Sequence, residues 1–307
     1  MFVFSDASVA DIVARFDRID ASGGDPCRKD DEFFEKGWPG NAIERTERPY
    51  ERFADYKGLL DRLKDRDASK YHWLHKGTPY CYLFWLAFDL KTYKEALYYL
   101  DAAILEDEKN RPTQWRDAPA TAILTLSGQD FTGRVVKAIE CVLQSELDRF
   151  NRISTAVQID LRSFVDRFAV PFMKTPNERV LLEALYVFFL EHKERAFELK
   201  VKSTAGSSLG PLITHLFSGC LIFESLLKVL YTEKCGPPLT SLRKVFATAA
   251  FKADFGRMGQ CSARTLEEIW TAVTDDSELT AFQVAAKVRN TTGHSLISDS
   301  MLASDSH

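Results

Sequence analysis

Apolar side chains recur every three or four residues along most of this 307-residue chain. That spacing is typical of helices that bury one face, and the strict alternation that predicts strands is rare throughout. The pattern is clearest in the second half, where it predicts helices over 131–153, 155–169, 177–200, 209–231, 239–251, 263–275 and 278–292. Pro171 and Pro176 separate two of them, and residues 235–239 end another. We therefore predict an all-α protein.

The first 70 residues show a less regular pattern. Gly, Pro and clustered charge predict a loop over residues 21–41, and helical spacing then appears over 50–67. Two further helical patterns lie on either side of Asp89–Lys91, which predicts a helical hairpin. The pattern is next interrupted by three residues that disfavour helix: Pro112, Pro119 and Gly128. We predict a connection there.

The predicted hairpin, over about 79–106, resembles a single tetratricopeptide-type repeat. The segment Asp89–Leu97 stands where such repeats turn, and Ala96 and Ala103 stand at their small packing positions. Phe84 departs from the pattern, because the repeat usually has a small residue there. No second copy is obvious in the sequence, and one repeat cannot form a solenoid. A plain helical hairpin therefore remains the favoured interpretation.

Composition is that of an ordinary globular protein, with 45% hydrophobic and 27% charged residues. The formal net charge of -4 argues against a globally basic nucleic-acid binder, although it is compatible with a local basic cleft. The cysteines are scattered without metal-binding spacing: Cys27, Cys81, Cys141, Cys220, Cys235 and Cys261. We interpret them as reduced thiols of a cytoplasmic protein.

The sequence contains no segment that we interpret as a membrane or export signal. The first twenty residues lack a basic start followed by an apolar run, so they do not resemble a signal peptide. The most apolar segment, Pro211–Tyr231, carries His215, Glu224 and Lys228, which favours a buried helix over a membrane span. We therefore expect no membrane contact.

The candidate chemistry lies in AAKVRNTTGHSLI, residues 285–297. Arg289, Asn290 and His294 form an Arg-polar-x-x-x-His pattern on the last predicted helix, and this pattern resembles the signature of the HEPN superfamily. Residues 221–231 resemble the long helix of that family which packs against the motif helix and offers it a polar side chain. Glu224 or Lys228 would be that side chain here.

The resemblance implies a helical bundle that acts as a metal-independent endoribonuclease, with no cofactor. His294 would be the general acid or base, Arg289 the phosphate clamp, Asn290 an orienting group, and Glu224 a supporting contact. These residue types suit the reaction in which the 2′-hydroxyl of RNA attacks the adjacent phosphate. Histidine titrates near neutral pH, and arginine holds phosphate through two parallel hydrogen bonds.

Helical geometry adds a constraint on this pair. Residues five apart on a helix point about 140° apart, so Arg289 and His294 do not share one narrow face. Members of the family bring two motifs together across a two-fold axis, which implies a homodimer with a composite site. We predict three segments: a helical N-terminal region over 1–130, a HEPN-like bundle over 131–298, and a disordered tail over 299–307.

The resemblance also suggests a setting in bacterial toxin–antitoxin or antiviral defence, with a protein partner or antitoxin bound through the N-terminal region. Three alternatives stay open. The domain can bind RNA without cutting it. Arg289 and His294 can simply be favoured by the dipole at a helix C-terminus. The whole chain can be a non-catalytic α-helical adaptor, which the hairpin and the acidic net charge favour.

Other polar positions are interpreted as structural. His72 and His75 have spacing that suits a metal, but no third ligand is evident, so a surface helix end is favoured. His192 lies among charges and predicts a solvated face. The Gly/Ser-rich segment Ser203–Gly210 precedes a helix and suits phosphate, but it lacks the Gly-Lys-Ser/Thr of a P-loop, so a flexible loop is favoured.

Overall fold

The computed structural model describes residues 6–30, 33–34, 48–128, 132–154, 157–201, 209–257 and 278–294. Helices make up most of these residues and no strand occurs among them, which confirms the all-α class. The chain divides into two compact units, Met1–Cys141 and Val142–His307. This division falls inside a single helix, Gly133–Ile153, which begins just after the predicted boundary at 130/131.

The first unit is built from short and medium helices. They are α1 (Asp6–Asp17), α2 (Pro26–Asp30), α3 (Pro49–Arg66), α4 (Ala68–Trp73), α5 (Gly77–Asp89), α6 (Tyr93–Asn110), α7 (Pro119–Leu124) and the start of α8 (Gly133–Ile153). The expectation of an irregular start and of an interrupted helical pattern before residue 131 is therefore wrong at α1, α2 and α7. Helix α1 forms because Ile12 and Phe16 bury one of its faces. Helix α7 begins at Pro119, because the N–H that proline lacks is not needed at the first position of a helix.

The predicted helical hairpin is present as α5 and α6. At its turn Lys91 has a left-handed backbone, with φ 60°. The Lys91 N–H donates to the Phe88 carbonyl and the Thr92 N–H to the Ala87 carbonyl, both at 3.0 Å, which is a Schellman helix ending. Ala96 is fully buried, so the two helices pack closely. The resemblance to a tetratricopeptide repeat stays a prediction.

The second unit consists of the rest of α8, α9 (Leu161–Phe164), α10 (Pro176–Val201), α11 (Leu209–Cys235), α12 (Leu242–Ala247), α13 (Ala249–Phe255) and α14 (Glu278–His294). Its centre is α11, which packs against α10, α12, α13 and α14. Aromatic and aliphatic side chains from these helices form one buried cluster: Leu227, Tyr231, Leu242, Val245, Phe251 and Phe282. Among the described residues, no helix combines the length and apolar character needed to cross a membrane.

Two of the predicted helices begin later than their patterns suggested, and one of them is divided. The helix expected over 155–169 begins only at Leu161, because the Asp160 side chain accepts the Ser163 N–H at 2.6 Å and caps it there. Beyond α9 the backbone continues as a wider π turn over Val165–Ala169. The helix expected over 239–251 is divided at Thr248, whose hydroxyl accepts the Phe251 N–H at 3.1 Å.

Several predictions concern residues outside the described ranges. They are the helix over 263–275, residues 203–208 of the Gly/Ser-rich segment, and the tail over 299–307. The remaining predicted helices of the second half are all present, and α11 extends to Cys235.

The contact between α10 and α11 depends on a glycine. A Cβ atom built on Gly219 would lie 2.6 Å from Cε2 of Phe188, which is closer than carbon atoms approach. Phe188 cannot move aside freely, because its ring stacks on His215 with centroids 4.3 Å apart. Gly219 therefore sets the close approach of α10 to the helix that carries Glu224.

Candidate functional site

A buried carboxylate lies where α11 packs against α14. Glu224, on α11, is 2% exposed. Its Oε1 lies 2.5 Å from the Lys228 Nζ, one turn further along the same helix, and its Oε2 lies 3.1 Å from the Arg289 Nε on α14. The Arg289 contact is an ion pair rather than an aligned hydrogen bond, since Oε2 receives no donor in hydrogen-bonding geometry. The two cations offset the cost of burying the acid.

The cations of this cluster reach the surface, although the acid does not. The side chain of Glu224 is 3% exposed, that of Lys228 27%, and that of Arg289 39%. Two cations surround one carboxylate, so the cluster has one excess positive charge. The exposed Asn290 accepts a hydrogen bond from the Arg289 Nη1 at 3.0 Å. The guanidinium is thus held from two sides with part of its surface open to an anion.

The local sequence explains why Arg289 lies over Glu224. Phe282 and Ala286 lie four residues apart on α14 and turn one face of this helix toward the core. The Phe282 ring stacks on Phe223, beside Glu224 on α11, with centroids 5.4 Å apart. Arg289 follows Ala286 by three residues on the same face, so the apolar contact directs it to the buried acid.

The structure brings together three of the four residues predicted for the site. Arg289, Asn290 and Glu224 form one cluster, and Lys228, the alternative to Glu224, joins it. His294 is the last residue of α14, on the same continuous helix as Arg289. The His294 side chain lies outside the described residues, so its role and the homodimer both stay predictions.

The thiol of Cys220, one turn before Glu224 on α11, is chemically quiet. Burial raises its pKa to about 11, against the opposing effect of a hydrogen bond with the Arg289 backbone. The thiol is therefore protonated at neutral pH and does not act as a nucleophile. The cysteines within the described ranges are free thiols, in agreement with the prediction: Cys27, Cys81, Cys141, Cys220 and Cys235.

The interpretation of His192 as part of a solvated face is wrong. Its ring lies parallel to that of His215, with centroids 5.5 Å apart, and both join Phe188 in one stack. Burial lowers the pKa of His192, so the neutral ring is favoured. His215 Nδ1 lies 3.7 Å from a carboxylate oxygen of Glu191. No group of three or more metal-binding side chains occurs within the part of the chain that the structure describes.

The interpretation of His75 as a surface residue is also wrong, whereas His72 is exposed as predicted. His75 is 2% exposed, and its Nε2 lies 3.0 Å from the Asp107 Oδ1 on α6. Gly77 leaves room for this ring, because a Cβ there would lie 2.7 Å from the His75 Cε1. The pair joins the start of α5 to α6.

Lys76, the next residue, is a buried cation. It is 2% exposed, and its Nζ donates to the carbonyls of Leu74 at 2.6 Å and Tyr71 at 3.2 Å. Its Nζ also lies 3.0 Å from the Glu106 Oε1. Every direction of the ammonium is occupied by oxygen, which assigns Lys76 to structure rather than to ligand binding.

The first unit also contains a cleft of about 600 Å³ along α3, α4, α5 and α6. Four tyrosines line it, together with three carboxylates and three lysines. Sequence reasoning missed it because the lining comes from four helices and is spread over fifty positions of the chain. The available signal is the clustering of tyrosine, with Tyr98 and Tyr99 adjacent on α6.

The fold and these two sites define an all-α protein with a surface cation cluster in one unit and a tyrosine-lined cleft in the other. Comparison with protein-family models, curated proteins and solved structures gives no match. The chemistry of the sites is therefore assigned from their own geometry.

Proposed function

We propose that the second unit binds RNA at the α11–α14 surface and cleaves it without a metal ion. The observation that carries this proposal is the half-exposed guanidinium of Arg289, fixed on the buried Glu224 with one excess positive charge. Such a group binds a phosphate oxygen without first having to be ordered. His294 lies on the same helix, and histidine is the residue type whose ordinary pKa lies nearest to neutral pH.

The reaction needs two proton transfers. One histidine removes the proton of the 2′-hydroxyl as its oxygen attacks phosphorus, and another donates a proton to the departing 5′-oxygen. Arg289 binds a non-bridging phosphate oxygen, where negative charge increases in the transition state. Asn290 keeps the guanidinium oriented. The products are a 2′,3′-cyclic phosphate and a 5′-hydroxyl.

A homodimer supplies the second histidine, because each copy contributes one His294. Exposed apolar side chains on the helix that carries Glu224 support such an association: Leu216 is 42% and Leu230 45% exposed. These two residues are fourteen positions apart, so they lie within about 40° of each other around α11. A second copy placed against this side of α11 would cover them.

The resemblance noted in the sequence extends the proposal to a toxin–antitoxin or antiviral defence system in the cytoplasm. The first unit would then hold the protein partner or antitoxin. The cleft along α3 to α6 favours a second candidate function, a non-catalytic α-helical adaptor that uses this unit alone.

The test is RNA cleavage by the purified full chain in the presence of a chelator. We expect cyclic-phosphate ends, and a rate at least about a hundredfold lower for His294→Ala and for Arg289→Gln. Arg162→Gln is the matched control, because Arg162 is an exposed arginine of the same unit that pairs with the exposed Asp166. Its rate should equal that of the unchanged protein.

Two results would overturn the assignment. If the dimer cleaves no RNA but still binds it, the catalytic role is wrong and only RNA binding survives. If His294→Ala cleaves as fast as the unchanged protein, His294 is not the proton-transfer group.

A further inference from the structure

The cleft of the first unit has a continuous aromatic surface. Tyr80 and Tyr99 have ring centroids 6.1 Å apart, and Tyr99 and Tyr98 have centroids 5.3 Å apart. The hydroxyl oxygens of Tyr71 and Tyr80 lie 3.5 Å from each other. Tyr98 is 67% exposed and stands at the open side of the cleft. Aromatic faces carry partial negative charge, so this surface attracts cations.

Carboxylates lie around these tyrosine hydroxyls. Burial, together with the charge of Glu95, raises the pKa of Tyr99 to about 12. Burial is also the main cause of the raised pKa of Tyr80, with Asp61 among the charges that add to it. Within the described ranges, neither Asp61 nor Glu95 has an ion-pair partner, so both acids are available to a ligand.

Three lysines line the cleft beside its three carboxylates. Lys76 is already neutralised by Glu106 in the floor. Lys57 and Lys64 are exposed on α3, and both also line the cleft.

Lys76 shows how side chains of the cleft can hold a cation. The ammonium of Lys76 lies 5.1 Å from the centroid of the Tyr71 ring and 3.0 Å from Glu106. A tyrosine face and a carboxylate thus already hold one cation at the floor. Tyr98 and Tyr99, with Asp61 and Glu95, repeat the same combination nearer the opening.

We propose that this cleft binds an arginine side chain carried by a partner protein. A guanidinium stacks on tyrosine and pairs with a carboxylate through two hydrogen bonds, which an ammonium cannot do in the same geometry. The open side at Tyr98 leaves the partner's backbone outside the cleft. Lys57 and Lys64 then lie beside that backbone, where its carbonyl groups and acidic residues complement them.

The test uses the tripeptide acetyl-Gly-Arg-Gly-amide and the same peptide with citrulline, which keeps the shape but lacks the charge. Binding to the full chain is followed by NMR of the tyrosine ring signals. We expect the citrulline peptide to bind at least about tenfold more weakly than the arginine peptide. Equal binding of the two peptides would overturn the proposal.

Matched variants locate the site. Asp61→Asn should weaken binding about fivefold, whereas Asp65→Asn, on the same helix but outside the cleft, should not change it. Tyr98→Ala should weaken binding to a similar extent, and the control is Tyr50→Ala, a tyrosine that is 70% exposed on α3. Both pairs alter exposed positions, so folding is not at risk.

Lys64→Gln tests whether the ligand of the cleft is a cation or an anion. It should strengthen binding of the arginine peptide, because it removes a like charge from the opening. If Lys64→Gln weakens binding, or if acetyl-Gly-Glu-Gly-amide binds better than the arginine peptide, the cleft takes an anionic ligand and the proposal is wrong. If a control variant changes binding as much as its partner variant does, the site is elsewhere.

Discussion

Two charged clusters, one in each unit, bury charge in opposite ways. In the Lys76 cluster of the first unit the buried partner is the cation: Lys76 is 2% exposed, and main-chain and carboxylate oxygens surround its ammonium. In the Glu224 cluster of the second unit the buried partner is the acid: the Glu224 side chain is 3% exposed, and the cations paired with it are 27% and 39% exposed. Both arrangements satisfy the buried charge, but only the second presents cations to solvent.

This difference separates a structural ion pair from one whose cations remain accessible to a ligand. A fully enclosed ammonium has no direction left for a ligand, so its contribution is to fix the turn before α5 against α6. A buried carboxylate beneath half-exposed cations instead holds them in place while leaving part of each accessible. The same residue types thus serve stability in the Lys76 cluster and, in the proposed function, recognition in the Glu224 cluster.

The largest expected effect is on the free energy of unfolding, and it compares the enclosed Lys76 with the half-buried Lys228. Lys76→Met leaves Glu106 and two carbonyls without their cation, and should lower the free energy of unfolding by about 3–5 kcal/mol. Lys228→Met should cost about 1 kcal/mol, because Arg289 still pairs with Glu224. Urea unfolding measures both values. Equal losses would show that exposure of the cation does not distinguish the two pairs.

A smaller effect is expected from pH. Burial lowers the pKa of His192 in the folded state below the unfolded value, which is near 6.5. At a pH between these two pKa values, the unfolded chain therefore binds more protons than the folded chain does. Stability should be complete above about pH 6.5 and should decrease as the pH falls below it. Urea unfolding from pH 7.5 to 5.0 measures this. His192→Gln should show a flatter profile, and an unchanged profile would contradict the assigned cause.

The sequence predicts individual helices of this protein better than it predicts contacts between residues far apart along the chain. Periodicity placed α11 and α14, and the motif resemblance selected Glu224 and Arg289, which the structure brings within 3.1 Å. The sequence assigns His75 to a surface helix end because no third metal ligand is evident near His72 and His75. The residue that accounts for its burial, Asp107, lies 32 positions away.

Helix capping explains two further differences between the predicted and the observed helices. Asp160 and Thr248 begin new helices inside patterns that looked continuous, because side-chain oxygens bind free backbone N–H groups there. The tyrosine-lined cleft could not be predicted, because it exists only after four helices have packed.

The central claim is that buried Glu224 presents Arg289 to the phosphates of RNA. Its most direct test is the affinity for a single-stranded RNA made uncleavable by 2′-O-methyl groups, measured by fluorescence anisotropy at several salt concentrations. Arg289→Gln should weaken binding and reduce the slope of log affinity against log salt by about 0.7, as expected for one lost phosphate contact. Arg162→Gln should leave both unchanged. Equal affinity and slope for Arg289→Gln and the unchanged protein would contradict the claim.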